Sequence, residues 1–157
     1  MTYQTRDIFK YNRKKYDIIS RDEIDFNPEN YGIKIAGFST SCWDGYYYTL
    51  AIMDKMLVLD TLNVLYPEDP SVELFGVKCH ETHDDFQYRN LKYKLDYTGY
   101  IEIGRNDKYC YDVPTTYSYE EVIMLEFYHG ELIGMSDYHK KKMMEAELYE
   151  DQSLVEW

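Results

Sequence analysis

Three stretches of the chain repeat one pattern: an apolar run, a short polar break, then a second apolar run. They are residues 7–19, 48–60 and 122–135, with breaks at Asn12-Arg13-Lys14, Asp54-Lys55 and His129-Gly130. Two strand-forming runs around a tight polar turn predict a hairpin. A fourth hairpin is predicted over 91–104. There Leu91, Tyr93, Leu95 and Tyr97 alternate with polar residues, and Thr98-Gly99 supplies the turn. Period-two alternation places those four side chains on one face of a strand.

Shorter signals fill the gaps. Residues 31–38 and 71–79 read as strands, the second with Gly76 as a bulge. Residues 63–71 read as a loop, because Pro67 and Pro70 bracket acidic turn residues. Arg21–Phe26 reads as a short helix. Ser136 is a candidate cap for a longer helix over about 137–150, whose apolar face would be Met143, Met144 and Leu148. The expected fold is mainly β (α+β): an antiparallel sheet or open barrel built of hairpins, with one C-terminal helix, in a single domain over 1–157. The second and third hairpins align at an offset of about 75 residues, the pattern an internal duplication would leave.

Composition adds a surface to this fold. The chain holds 19 Tyr against 6 Phe and 2 Trp. Tyr suits strands and sites with one dry and one wet end. The net charge is -12, which argues against direct nucleic-acid binding or attraction to an anionic membrane, and favours a basic partner. Three Cys with no CxxC spacing make neither a disulfide framework nor a four-cysteine zinc site, so reduced thiols in the cytoplasm are expected. The first sixteen residues lack a signal peptide's apolar core, and no apolar run is long enough to span a membrane.

Gly37–Asp60 is the most distinctive stretch. Its Ser39, Thr40, Trp43, Gly45 and Tyr46 form a Ser-Thr-x-x-Trp-x-Gly-Tyr run, followed by Leu57, Leu59 and Asp60 in the second strand. This resembles a motif of small bacterial proteins with no assigned chemistry, and Tyr11 and Tyr16 around the first turn resemble their start. Leu50 and Ala51 depart from the aromatic-acidic pair that the resemblance would place in the strand. It implies a compact bacterial or phage-borne domain and no activity. Physically, the three hydroxyls can turn the chain, Gly45 can re-enter a strand tightly, and Trp43 is expected to pack as a plug.

Candidate chemistry is sparse. Cys79, His80 and His83, with Asp84 and Asp85, include zinc-ligand types, but the His-x-x-His pair lies in an acidic loop without a second spaced pair. Cys42 has no neighbouring cation to lower its pKa, so burial is its expected fate. Glu120, Glu121, Glu126 and Glu131 read as the wet side of a hairpin. The glycines of Gly99–Gly104 open no helix and so cannot seat a phosphate at a helix start. Lys140–Lys142 and the first turn's Arg13, Lys14 and Lys15 read as solvated basic residues.

The function expected from these features is a non-enzymatic acidic protein-binding module, immunity- or inhibitor-like. It would occupy a basic surface of a protein partner such as a nuclease or nucleic-acid-binding protein, without a cofactor. Its contact residues are expected among Asp84, Asp85, Tyr88, Tyr97, Tyr100, Tyr109 and Tyr111, since Tyr beside carboxylate matches an interface anchor and its rim. The alternative is a small metal-assisted hydrolase using Cys79, His80 and His83.

Overall fold

The computed structural model describes residues 5–107 and 118–137. The expected C-terminal helix over 137–150 falls almost wholly outside them. The described residues are mostly β. They form β1 (Ile8–Tyr11), β2 (Lys14–Arg21), β3 (Ile35–Gly37), β4 (Tyr46–Met53), β5 (Met56–Val64), β6 (Tyr66–Pro67), β7 (His80–Glu81), β8 (Phe86–Tyr88), β9 (Tyr93–Lys94), β10 (Gly99–Asp107), β11 (Tyr119–Tyr128) and β12 (Glu131–Ser136).

Three two-residue turns set the local architecture. Asn12-Arg13 joins β1 to β2, and Asp54-Lys55 joins β4 to β5; all four residues have positive φ. His129-Gly130 joins β11 to β12 in the same left-handed conformation, at φ 46° and 84°. Positive φ at both central positions gives a turn whose twist matches the flanking strands. Asn and Gly accept that region readily.

The larger sheet runs β12-β11-β10-β2-β1-β4-β5-β8-β7, and β12 also pairs β5, so its first seven strands close into a ring. Closure covers the strand edges at this joint, while β7, which pairs only with β8, remains an edge strand. The joint lies where two hairpin turns meet. Met56 and Glu131, each the first residue after its turn, are partners. Leu57 N donates to Gly130 O at 2.7 Å, and Leu132 N donates to Lys55 O at 2.8 Å. The residue pair Met56 and Glu131 is separated by the same 75 positions that relate the two hairpins in sequence. A Cβ at Gly130 would collide with Leu95 O, so a side chain there would have to push the backbone apart.

One pairing breaks the antiparallel rule: β1 runs parallel to β4, with Ile8 opposite Thr49. The sheet is therefore mixed. Inside the ring, Phe9, Leu50, Leu59, Leu62, Ile101 and Leu125 are fully buried, and Tyr88 and Phe127 join the same apolar cluster. Alternation delivers these side chains to the inside, and their burial is the main favourable term.

Other expectations change. The hairpin read over 91–104 does not form: β9 pairs with β5, and β10 pairs with β2 and β11. Leu91, Leu95 and Tyr97 are buried all the same, so alternation marked the inward face but not the partner strand. Arg21 ends β2 rather than starting a helix, and the helical turn there is a short 3-10 segment at Pro28–Tyr31, capped by Asn27. The strand read over 31–38 shrinks to β3. Phe75 and Gly76 form a tight turn with positive φ inside 71–79, closed by hydrogen bonds both ways between Leu74 and Val77.

Candidate functional site

The residues expected to contact a partner separate into buried and exposed sets. Asp85 is 5% exposed and accepts from Tyr47 Oη at 3.1 Å, Asn63 Nδ2 at 3.0 Å and Thr82 Oγ1 at 2.6 Å. Its carboxylate is committed to the protein. Tyr88 is fully buried and donates to Val72 O at 2.7 Å. Tyr97 is buried, donates to Tyr100 O and accepts from Asp22 N. These three were expected on the surface, and burial overturns that: period-two alternation does not say which face of a strand is dry. Asp84 and Tyr100 are exposed. Tyr109 and Tyr111 lie outside the described residues.

The metal alternative finds no assembled site. Cys79 Sγ donates to Pro70 O at 3.0 Å, while His80 and His83 are exposed. Among the described residues, no three His, Cys, Asp or Glu side chains lie close enough to share an ion. Cys42 is buried, its Sγ lies 3.5 Å from Tyr46 O, and burial pushes its thiol up. That is the reverse of an activated nucleophile.

The two most exposed large apolar side chains of the described residues, Trp43 and Phe38, lie elsewhere, near a third exposed aromatic, Tyr66. Trp43 is 69% exposed, Phe38 67% and Tyr66 54%. The expectation that Trp43 packs as a plug is therefore wrong. Ser39 and Cys42 bond each other's backbone in both directions, with N–O distances of 3.3 and 3.1 Å, which folds 38–43 into a minimal hairpin. Phe38 and Trp43 flank this bonded pair, so antiparallel geometry sends them to one side. Tyr66 pairs with Gly37, and a Cβ at Gly37 would lie 3.5 Å from the Tyr66 ring. Gly45 has φ +77°, and a Cβ there would fall 2.5 Å from Gly37 O. Only glycine lets the chain pass that close and turn into β4. Ser39 and Ser41 share a 3.0 Å hydrogen bond that braces the tip.

The patch is electronegative. Asp44 follows Trp43 directly, and Glu68 and Asp69 follow β6; all three are exposed. Asp7 lies close beneath. Burial raises its carboxyl above the ordinary range, and Asp44 raises it further, against the Tyr48 amide and Arg21, which lower it. Sequence reasoning had a signal for this site: Trp43 sits in a polar turn outside any alternating run, so no strand periodicity commits it to the core.

No family model matches the chain, and neither does any curated protein or solved structure. The motif around Trp43 therefore carries weight through its geometry alone. Among the described residues, no helix is long and apolar enough to cross a membrane.

Proposed function

We propose that this chain is a non-enzymatic, acidic protein-binding module of the immunity or inhibitor kind, which docks on a basic surface of a protein partner. The observation that carries this reading is the exposed pair Phe38 and Trp43 on a tightly turned loop, with exposed Tyr66 on the neighbouring β6 and Asp44, Glu68 and Asp69 beside them. Large aromatics at the centre of a contact supply most of its energy, and a charged rim steers the encounter. The net charge of -12 selects a basic partner over an acidic one. Cys42 and Cys79 form no disulfide with each other, which accords with action in the cytoplasm.

The test compares the wild-type chain with a Phe38→Ala/Trp43→Ala variant, each immobilised and exposed to host lysate at low and high salt. The expected result is a basic protein retained by the wild type and lost by the variant, with an association rate that falls as salt rises. Equal retention by both proteins, or an association rate flat in salt, would overturn the reading.

A further inference from the structure

On the outer face of the sheet, β1, β2, β4, β5 and β8 bound a groove of about 310 Å³. Registers lay its floor in two rows. Ile8, Thr49 and Thr61 stand opposite one another across β1, β4 and β5, and Tyr47, Asn63 and Gln87 do so across β4, β5 and β8. Thr49 and Asn63 are 6% and 5% exposed although both are polar, so the floor is set deep and offers hydrogen bonds. Asp85 holds Tyr47 and Asn63 in place from beside the groove.

The charges lining this groove are unusual for the chain. The sequence carries 29 Asp and Glu for 17 Lys and Arg. Among the described residues the groove inverts that ratio, with Lys10, Lys15 and Arg89 against the single carboxylate of Asp60. Asp60 is already engaged by Lys10 Nζ at 3.2 Å and by Thr61 Oγ1 at 3.0 Å. Among the described residues, Lys15 forms no ion pair, and Arg89 donates only its Nε, to Gln87 Oε1 at 2.8 Å. Lys10 and Lys15 are also register partners across β1 and β2. Like charges directly opposite one another on a sheet are unfavourable, so folding alone gives no reason for the pair.

We propose that this groove binds a small hydroxylated oxyanion of the sugar-phosphate class. Lys15 and Arg89, cations without a carboxylate partner on opposite sides of the groove, give its lining a net positive charge that suits a phosphate monoester, which carries nearly two negative charges at neutral pH. Thr49, Thr61, Asn63, Gln87 and Asn90 suit a hydroxylated body. Among the described residues Tyr47 is the single aromatic lining the groove, and its hydroxyl is tied to Asp85, so they supply no paired rings to hold a nucleobase. Screening limits the ligand to a small one. At physiological salt, charges beyond about 8 Å are damped, so a small anion responds to the local cations. An extended polyanion would meet the chain's net charge of -12.

The experiment titrates the isotope-labelled full chain, at low salt, with glucose 6-phosphate, ribose 5-phosphate, glucose and inorganic phosphate in separate arms. The expected result is saturable amide shifts at Thr49, Thr61, Asn63 and Gln87 with at least one sugar phosphate. Inorganic phosphate should bind about tenfold more weakly or worse, and glucose should give no shift. A Lys15→Ala/Arg89→Ala variant that melts like the wild type should lose about tenfold or more in affinity, while Lys78→Ala should not. Lys15→Gln serves in its place if the double variant melts early. No saturable shift with either sugar phosphate, an equal response to glucose, inorganic phosphate binding as tightly as the esters, or undiminished binding by the groove variants would each overturn the proposal.

Discussion

Asp17 and Lys15 lie two residues apart on β2, pointing to the same outer face, yet the charge groups around them are built in opposite ways. Around Asp17 every charge has its partner within the protein, one buried cation serving two carboxylates. Arg6, whose side chain is 6% exposed, meets Asp107 at 2.9 Å and Asp17 at 3.4 Å. Tyr119 Oη donates to Asp17 at 2.8 Å and accepts from Arg6 at 2.7 Å. Around Lys15 the cations outnumber the carboxylates, and they line a groove. A buried charge needs its partners within the protein, because desolvating it alone is prohibitive. A charge at the rim of a groove can keep its water until a ligand takes the place of that water. The matched cluster reads as architecture, and the unmatched one as a site.

The largest expected effect tests the matched cluster. Arg6→Ala leaves Asp17 and Asp107 without their buried cation and should cost about 3–5 kcal/mol, read from urea unfolding. A loss under about 1 kcal/mol would mean that water reaches the cluster, and the contrast with Lys15 would fail.

Alkaline pH comes next. Burial, then the bond to Glu121, raises Tyr16 to about 12. Burial, then Asp85, raises Tyr47 to about 12. Tyr48, Tyr88 and Tyr119 are raised as well, each chiefly by burial. Above pH 10 the unfolded chain sheds phenolic protons that the folded chain retains. The folded state then binds more protons, so stability falls as pH rises from about 10 to 12. Tyrosinate absorbance followed together with circular dichroism should show part of the Tyr complement ionising only as the sheet unfolds. If the wild type minus Tyr47→Phe difference titrates near 10, before unfolding, then the groove floor is wetter than its hydrogen bonds suggest.

Asp85 sits between the two extremes, buried but in service to the groove. Asp85→Ala strands the donors of Tyr47, Asn63 and Thr82 and should cost about 1–3 kcal/mol in the same unfolding assay. It should also loosen the Thr49, Asn63 and Gln87 amides toward hydrogen exchange.

The smallest effects belong to the surface sites. Lys15→Ala should leave stability within about 0.5 kcal/mol or raise it slightly, because it relieves repulsion with Lys10. Trp43→Ala should also stay within about 0.5 kcal/mol, since the side chain is 69% exposed. A loss of about 3 kcal/mol from either would return that residue to the structural class.

The sequence determined what is local in this protein. Asn12-Arg13, Asp54-Lys55 and His129-Gly130 turn the chain because short polar residues or glycine between strand formers accept positive φ, and those turns are where the breaks in the apolar pattern place them. Alternation separated Phe9 and Tyr16 from Lys10 and Lys15, and so drew the inward face of β1 and β2. The tertiary structure alone decided what is distant. Nothing in 93–94 says that β9 will pair with β5, and nothing in 46–53 says that β4 will lie parallel to β1, since either strand satisfies its alternation with any partner that covers its apolar face. The same gap governs the sites. Asp85 and Tyr88 look like surface residues until β8 packs against β5 and buries them, and Trp43 looks like core until its hairpin projects it outward. Arg89 comes from a part of the chain far from the hairpin of Lys10 and Lys15, and shares a groove with them only because sheet pairing leaves just β4 and β5 between β1 and β8. Periodicity fixes the direction of a side chain relative to its own strand; the closing of the ring fixes what that direction meets.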